Sequence, residues 1–219
     1  MRTILIAGGG IGGLTRASPC AVPVSRSAFL NELPRSASFG IVPIERGRIY
    51  WFATLNAPAG GRDQIGRVRD FLEETFTGWH PPVAEVLAAT PEEVILRNDI
   101  LHRLPTPRWI EGRVALLGDA AHPMTPNLGQ GACQAIEDAV ILADCLASDR
   151  ADLPRALRSY ELRRKTRADG FVLAALRLGR LAQLENAAGR WLRDRLLALT
   201  PASVARAQLV RSLRFEALT

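Results

Sequence analysis

The chain opens on an apolar run without polar alternation, Thr3 to Ala7 (TILIA), rich in β-branched residues. Such a run predicts a short strand buried on both faces, as in a parallel sheet. Arg113 to Leu117, with Val114-Ala115-Leu116-Leu117 at its centre, predicts a second buried strand of the same kind. Between them, Phe39–Ile44 and Ile49–Thr54 flank a turn at Glu45–Gly47 and predict a β-hairpin. Ile65, Val68, Leu72 and Phe76 recur at helical spacing and predict an amphipathic helix over 64–76. Pro81-Pro82 breaks the chain, Val83–Ala89 reads as a short helix, Val94–Leu96 as a short strand, and Pro105 and Pro107 bracket the next turn. A long helix follows the second apolar strand, with Ala132, Ala135, Ile136, Ala139, Ala143 and Leu146 as its apolar stripe. From Leu153 onward the pattern is helical: Leu157 and Tyr160 form the apolar side and Arg163-Arg164-Lys165 the wet one. Val172, Leu176, Leu181 and Leu184 continue the period, and Trp191, Leu192 and Leu196 begin a last helix closed near Pro201. These helices either pack on the rest of the chain or offer a dimer or partner surface.

Two apolar strands of the parallel type, the second running into a helix, fit an α/β fold. Residues 16–35 resist assignment: a helix starting at Leu14 meets Pro19 and then Pro23, and an interior proline costs about 3 kcal/mol. Phe29 to Pro34 does not read as a buried parallel strand, so Glu32 is expected on an exposed loop or helix rather than on a ribose.

At 219 residues the chain can build one sizeable core or two small ones. No apolar run approaches the ~20 residues of a membrane span, and the run before the first glycines is too brief for a secretory segment, so a cytoplasmic location is expected. The net charge of +6 comes from arginines spread along the chain and concentrated in the C-terminal helices. With no zinc spacing, RNA-binding aromatic motif or basic tail, nucleic-acid binding is not expected. Cys20, Cys133 and Cys145 are odd in number and lack C-x-x-C spacing, which predicts reduced, buried thiols. His80, His102 and His122 show no metal-ligand spacing, and no nucleophile stands beside a base.

The chemistry is expected from two glycine-rich junctions. Gly8, Gly10 and Gly13 follow the first strand as G-x-G-x-x-G, with Ile11 and Gly12 in the same turn. In that spacing the first glycine permits the tight turn, the second lets a pyrophosphate approach, and the third lets a helix pack on the strand. The second junction reads Gly118-Asp119-Ala120-Ala121-His122 and then Gly129-Gln130-Gly131 before the long helix. Asp119 sits where ligands bind, beyond the carboxyl end of a strand, and an ionised carboxylate is acceptor-only, suited to sugar or ribityl hydroxyls. The glycines admit an unusual path into a helix whose first N–H groups form an electropositive end. The bland reading, glycines serving turn geometry alone, is outweighed by Asp, Pro, Asn and G-x-G on one junction. His122 is expected as a structural hydrogen-bonder more than a proton shuttle; Gln130 either touches the ligand or faces solvent. Tyr50, Trp51 and Phe52 line an apolar pocket or, the favoured reading, pack as ordinary strand residues.

GGGIGGLT at Gly8–Thr15, FGIVP at Phe39–Pro43, YWFAT at Tyr50–Thr54 and GDAAHPMTPNLGQGA at Gly118–Ala132 resemble the FAD-dependent aromatic-ring hydroxylases, the class A flavoprotein monooxygenases. The resemblance covers the first ~15 residues and most of 38–215. It implies FAD, with NAD(P)H as transient reductant and oxygen as co-substrate, and hydroxylation of a small aromatic or apolar molecule. It implies that Gly8, Gly10 and Gly13, with Ile11 and Gly12, cradle the pyrophosphate. By the same token Asp119 accepts from the ribityl chain, Pro126 lies beside the isoalloxazine ring, and Gly129, Gly131 and Ala132 offer backbone to its pyrimidine edge. The cofactor carries such chemistry and the protein orients it, so no protein catalytic residue is assigned.

The resemblance also implies an incomplete member. Family members run to nearly twice this length, and between Thr15 and Phe39 the first helix, the acidic ribose strand, the Arg-bearing helix, the D-G motif and most of the substrate sheet are lacking. The expected organisation is an N-terminal dinucleotide strand and turn (1–15), an unplaced linker (16–37), a remnant of the substrate-side sheet and helices (38–111), an FAD-binding strand–loop–helix (112–147) and a C-terminal helical region (148–219), around a partial Rossmann-like sheet. Weak FAD binding is expected because the adenosine half is largely missing. A non-catalytic remnant and a related flavin reductase or dehydrogenase remain the alternative readings.

Overall fold

The computed structural model describes residues 5–7, 28–30, 37–44, 47–61 and 66–215. They fall into two units: one holds the first strand and everything from Ile100 on, the other the residues up to Asp99. Each has its own small sheet and its own core.

In the first unit, β1 (Leu5–Ala7) pairs in parallel with β6 (Val114–Leu116), which pairs antiparallel on its other side with β5 (Ile110–Glu111). The parallel pairing of two apolar runs far apart in sequence is the arrangement their composition predicts. β6 is less enclosed than expected: Ala115 is fully buried but Val114 is exposed, because the sheet stops at three strands and leaves part of that face uncovered. Helix α3 (Gly131–Ser148) and helix α4 (Leu153–Ala182) pack along each other. Asp152 caps α4 by accepting the Arg155 N–H at 3.0 Å, and a proline in the first turn suits the N–H groups that have no helical partner there. Trp109, Ala115, Ile141, Leu142, Leu157, Tyr160 and Ala168 form the core.

Two faces differ from the expected ones. On α3 the buried face is Gln134, Glu137, Asp138, Ile141, Leu142 and Cys145, whereas Ile136 of the expected stripe is 65% exposed, Ala132, Ala139 and Ala143 are exposed too, and Cys133, expected buried, is exposed on the same outer side. On α4, Arg164 is buried rather than wet, in register with Leu157, Tyr160, Ala168 and Val172. The two departures have one cause: the buried guanidinium meets the buried carboxylates, and their hydrogen bonds outweigh the preference for apolar contact. Beyond α4, the helix carrying Trp191 closes before Pro201 as expected, but it is not the last: α5 (Ala187–Leu199) is followed by α6 (Ala202–Leu213). No residue of α5 is buried, and Trp191, Leu192 and Leu196 are exposed.

In the second unit, β2 (Ala28–Leu30), β3 (Ala37–Ile44) and β4 (Arg48–Leu55) form an antiparallel sheet in that order. The hairpin is the expected one. Ala28–Leu30, which the apolar pattern leaves unassigned, adds a third strand through backbone pairing with β3. Helix α1 (Val68–Thr75) is shorter at its start than expected, because Gly66 takes a left-handed φ of +78° just before it; Ile65 lies outside the described residues. Helix α2 (Val83–Ala89) lies where expected. The expected strand at Val94–Leu96 is instead a 3₁₀ turn over Glu92–Val94 followed by unpaired chain. Glu92 is occupied locally, accepting the Val68 N–H at 3.0 Å to cap α1.

The hairpin aromatics divide between faces. Trp51 stacks on Phe39 with centroids 5.2 Å apart, and its indole N–H donates to Thr90 Oγ1 at 3.0 Å, so it belongs to the core with Ile41, Ile49, Phe76 and Val83. Tyr50 is 40% exposed and tilts against Phe52 at 6.0 Å on the opposite face. Phe52 lies across Gly40, where an added Cβ would come within 2.3 Å of its ring.

Candidate functional site

The site is a turn at the carboxyl end of β6. Ala7, the residue before the first glycine motif, is in register with Leu116, two residues before Gly118. Both parallel strands thus deliver their carboxyl ends to one place, where α/β sheets bind ligands. Gly118 has φ +58°, a region costly to other residues, and a Cβ there would lie 3.1 Å from that of Ala135. Gly118–Ala120 then forms a 3₁₀ turn, with Ala121 N–H and His122 N–H both donating to the Gly118 carbonyl at 2.9 Å. Asp119 is exposed in that turn, and no described residue donates to its carboxylate.

The loop from Pro123 to Gln130 leads into α3. Arg103 braces it by donating through Nη2 to the carbonyls of Ala120 (2.8 Å) and Ala121 (3.1 Å), and its own N–H reaches Pro123 O at 3.3 Å. Thr125 is buried, with its hydroxyl unpartnered among the described residues. Pro126–Leu128 is a 3₁₀ turn ended by Gly129 at φ +62°. Asn127 lies against α4 at Gly179, where a Cβ would come within 2.7 Å of its Oδ1. Gln130 precedes α3 without capping it, so the N–H groups of Gly131, Ala132 and Cys133 are left open among the described residues. The helix begins with free donors close in sequence to a free acceptor carboxylate.

Beneath the turn lies a buried polar network. Asp138 is fully buried, and its Oδ2 accepts the Gly118 N–H (3.0 Å) and His122 Nε2–H (2.6 Å). Its Oδ1 accepts Arg164 Nε–H at 2.8 Å. Arg164 also donates to Glu137 Oε2 (2.6 Å) and Gln134 Oε1 (2.8 Å), and Arg167 closes on both oxygens of Glu137 at 2.8 and 3.0 Å. Tyr160 donates its hydroxyl to Leu116 O at 3.0 Å, tying α4 to the end of β6; burial raises its pKa, so the phenol stays protonated. Burial opposes ionisation of Asp138, but the hydrogen bonds from His122, Arg164 and Gly118 outweigh it and hold the carboxyl below its ordinary value. Burial likewise opposes ionisation of Glu137, and Arg167 and Arg164 reverse the balance.

The structure brings Asp119, Pro126, Gly129, Gln130, Gly131 and Ala132 into one turn–loop–helix segment. Gly8, Gly10, Ile11, Gly12, Gly13 and Glu32 lie outside the described residues. His122 is a structural hydrogen-bonder through Nε2, with Nδ1 buried beside the Trp109 ring. Sequence reasoning missed Asp138, Glu137, Arg164 and Arg103. A signal for Arg164 was present: it stands at i+4 from Tyr160 and i−4 from Ala168, on the apolar side of its helix.

A family model for an FAD binding domain matches residues 9–175, most of the chain. The chain belongs to that family. It is 47% identical over 180 residues to an aurachin C monooxygenase/isomerase of Stigmatella aurantiaca, covering 82% of this chain and 46% of that protein. It is 42% identical over 135 residues to an FAD-dependent urate hydroxylase of Klebsiella pneumoniae, covering 62% of this chain and 35% of the relative. Among solved structures, Klebsiella pneumoniae HpxO complexed with FAD and uric acid superposes with a TM-score of 0.79 at 30% identity, over 87% of this chain and 48% of that one. The chain thus spans about half the length of these relatives, or less. Among the described residues no helix is long and apolar enough to cross a membrane, and no group of side chains could hold a metal ion.

Proposed function

We propose that this chain carries the flavin-holding elements of an FAD-dependent monooxygenase that uses NAD(P)H and oxygen to hydroxylate a small aromatic or apolar molecule. The observation that carries the reading is the exposed Asp119 carboxylate, free of protein partners among the described residues, at the carboxyl end of the parallel pair β1–β6. The residues present fit the cofactor: a free acceptor for ribityl hydroxyls, two glycines at positive φ, and an uncapped helix start. Asp119 would accept from the ribityl chain, Pro126 would lie beside the ring, and Gly129, Gln130, Gly131 and Ala132 would offer backbone to its pyrimidine edge. Gly8, Gly10 and Gly13, with Ile11 and Gly12, would cradle the pyrophosphate. The open N–H groups of Gly131 and Ala132 and the positive end of α3 favour negative charge at that edge.

FAD, when bound, supplies the hydride acceptance and oxygen activation that no side chain of the chain provides. The protein's part is to hold the ribityl chain at Asp119 and the ring at the head of α3. In domain terms, 112–147 is the FAD-binding strand–loop–helix and 148–219 its helical support.

One observation favours a second reading: among the described residues the sheet that carries the site has only three strands, so FAD binding without turnover is the alternative. The test incubates the chain with FAD, NADH or NADPH, and a panel of small aromatic molecules that includes uric acid. Mass spectrometry then seeks a product heavier by one oxygen atom. Reductant consumption with such a product establishes the monooxygenase; bound FAD without either establishes the second reading.

A further inference from the structure

Among the described residues no hydrogen bond or ion pair aims the exposed Asp119 side chain, so its direction follows its backbone. That backbone is held at both ends by one carboxylate oxygen. Asp138 Oδ2 takes the N–H of Gly118, the residue before Asp119, and the Nε2–H of His122, three residues after it. The other oxygen, Oδ1, is taken by Arg164 from α4. All three side chains are buried: Asp138 is 0% exposed, His122 and Arg164 1% each. Hydrogen bonds at both ends restrain this turn, and with it the direction of the Asp119 carboxylate.

We propose that Asp138, charged and oriented by Arg164 and bonded to His122, is a positioning group for the flavin's ribityl chain. It acts through the Gly118–His122 turn and touches no ligand. The proposal rests on the reading of Asp119 as the ribityl acceptor. It assigns Arg164, distant from that acceptor in sequence, a role in cofactor affinity in addition to its role in the core. His122 follows as a hydrogen-bond donor whose ring is dispensable so long as a donor remains at the position of Nε2, which the amide nitrogen of glutamine can occupy.

The test is FAD affinity, measured by fluorescence titration of the full chain, in His122→Phe, His122→Gln, Asp138→Asn and Asp119→Ala. The expected result is a weakening of about tenfold in His122→Phe and Asp138→Asn, for lost bonds to a charged group, with His122→Gln within about threefold of the parent. A double variant, Asp119→Ala with His122→Phe, separates positioning from general loosening. If His122 acts through Asp119, the double variant binds FAD about as weakly as Asp119→Ala alone, because coupled sites do not add. Losses that multiply, or no rescue by glutamine, would reduce the network to a structural role and overturn the proposal. Thermal melts are recorded for each variant, and if Asp138→Asn does not fold, the phenylalanine–glutamine pair at His122 decides. An unchanged affinity in Asp119→Ala alone is a different outcome: it brings down the ribityl reading itself, and the positioning role with it.

Discussion

Replacing Arg164 by methionine is the most informative perturbation of the fold, because the wild-type geometry says which group is left exposed to the loss. Arg164 makes three side-chain bonds: to Asp138 at 2.8 Å, Glu137 at 2.6 Å and Gln134 at 2.8 Å. Methionine fills much of the volume but donates nothing. Glu137 keeps both bonds from Arg167, so its charge stays compensated. Asp138 loses its guanidinium and keeps only the Gly118 N–H and His122. Breaking one partner of a buried pair costs about 3–5 kcal/mol, and the surviving bonds place this case near the lower end, at about 3 kcal/mol. Urea unfolding of the full chain, followed by far-UV circular dichroism, measures it. Adding Asp138→Asn to Arg164→Met should cost less than the two singles combined, by about 1–2 kcal/mol, because the stranded charge is then gone. A loss below about 1 kcal/mol in Arg164→Met, or strictly additive singles, would refute the claim that the guanidinium holds this carboxylate.

Three further outcomes follow from the same geometry. Asp138 and Glu137 are both held below their ordinary carboxylate values in the folded chain, so the unfolded chain takes up protons first as pH falls. Their stabilisation is complete above the unfolded value of about 4 and is lost as pH drops through the lower folded values; unfolding free energy measured from pH 6 to pH 3 should fall in the parent and fall less steeply in Asp138→Asn. Gly118→Ala puts a Cβ at φ +58° and 3.1 Å from Ala135; it should destabilise by about 1–2 kcal/mol and weaken FAD binding, read by melting and titration. Gly40→Ala forces the Phe52 ring out of its place across β3; thermal melting should register a loss of about 1–3 kcal/mol.

How much of this was legible in the sequence depends on what kind of force decided each element. The strands β1 and β6, though not their pairing, and the hairpin β3–β4 were legible because apolar runs and turn residues dictate them locally. The Gly118–Asp119 turn and the Gly129 bend were legible for the same reason: a positive φ demands glycine. Ala28–Leu30 was not, because it is a strand only by virtue of backbone bonds to β3. The face of α3 was misread because Glu137 and Asp138 look like solvent-facing residues until Arg164 is placed opposite them. Neither helix alone reveals that the charges meet; only the pairing of two helices converts polar positions into core. Val94–Leu96 failed the other way, as β-prone residues with no neighbouring strand to pair with.

The central claim is that the Asp119 turn grips FAD, and one titration tests it most directly. FAD is added to the parent chain and to Asp119→Ala, and quenching of flavin fluorescence is followed to saturation. The account predicts saturable though weak binding in the parent, and in Asp119→Ala a loss of about 1–3 kcal/mol, a shift of roughly fivefold or more in Kd. Superimposable curves for the two proteins would contradict it.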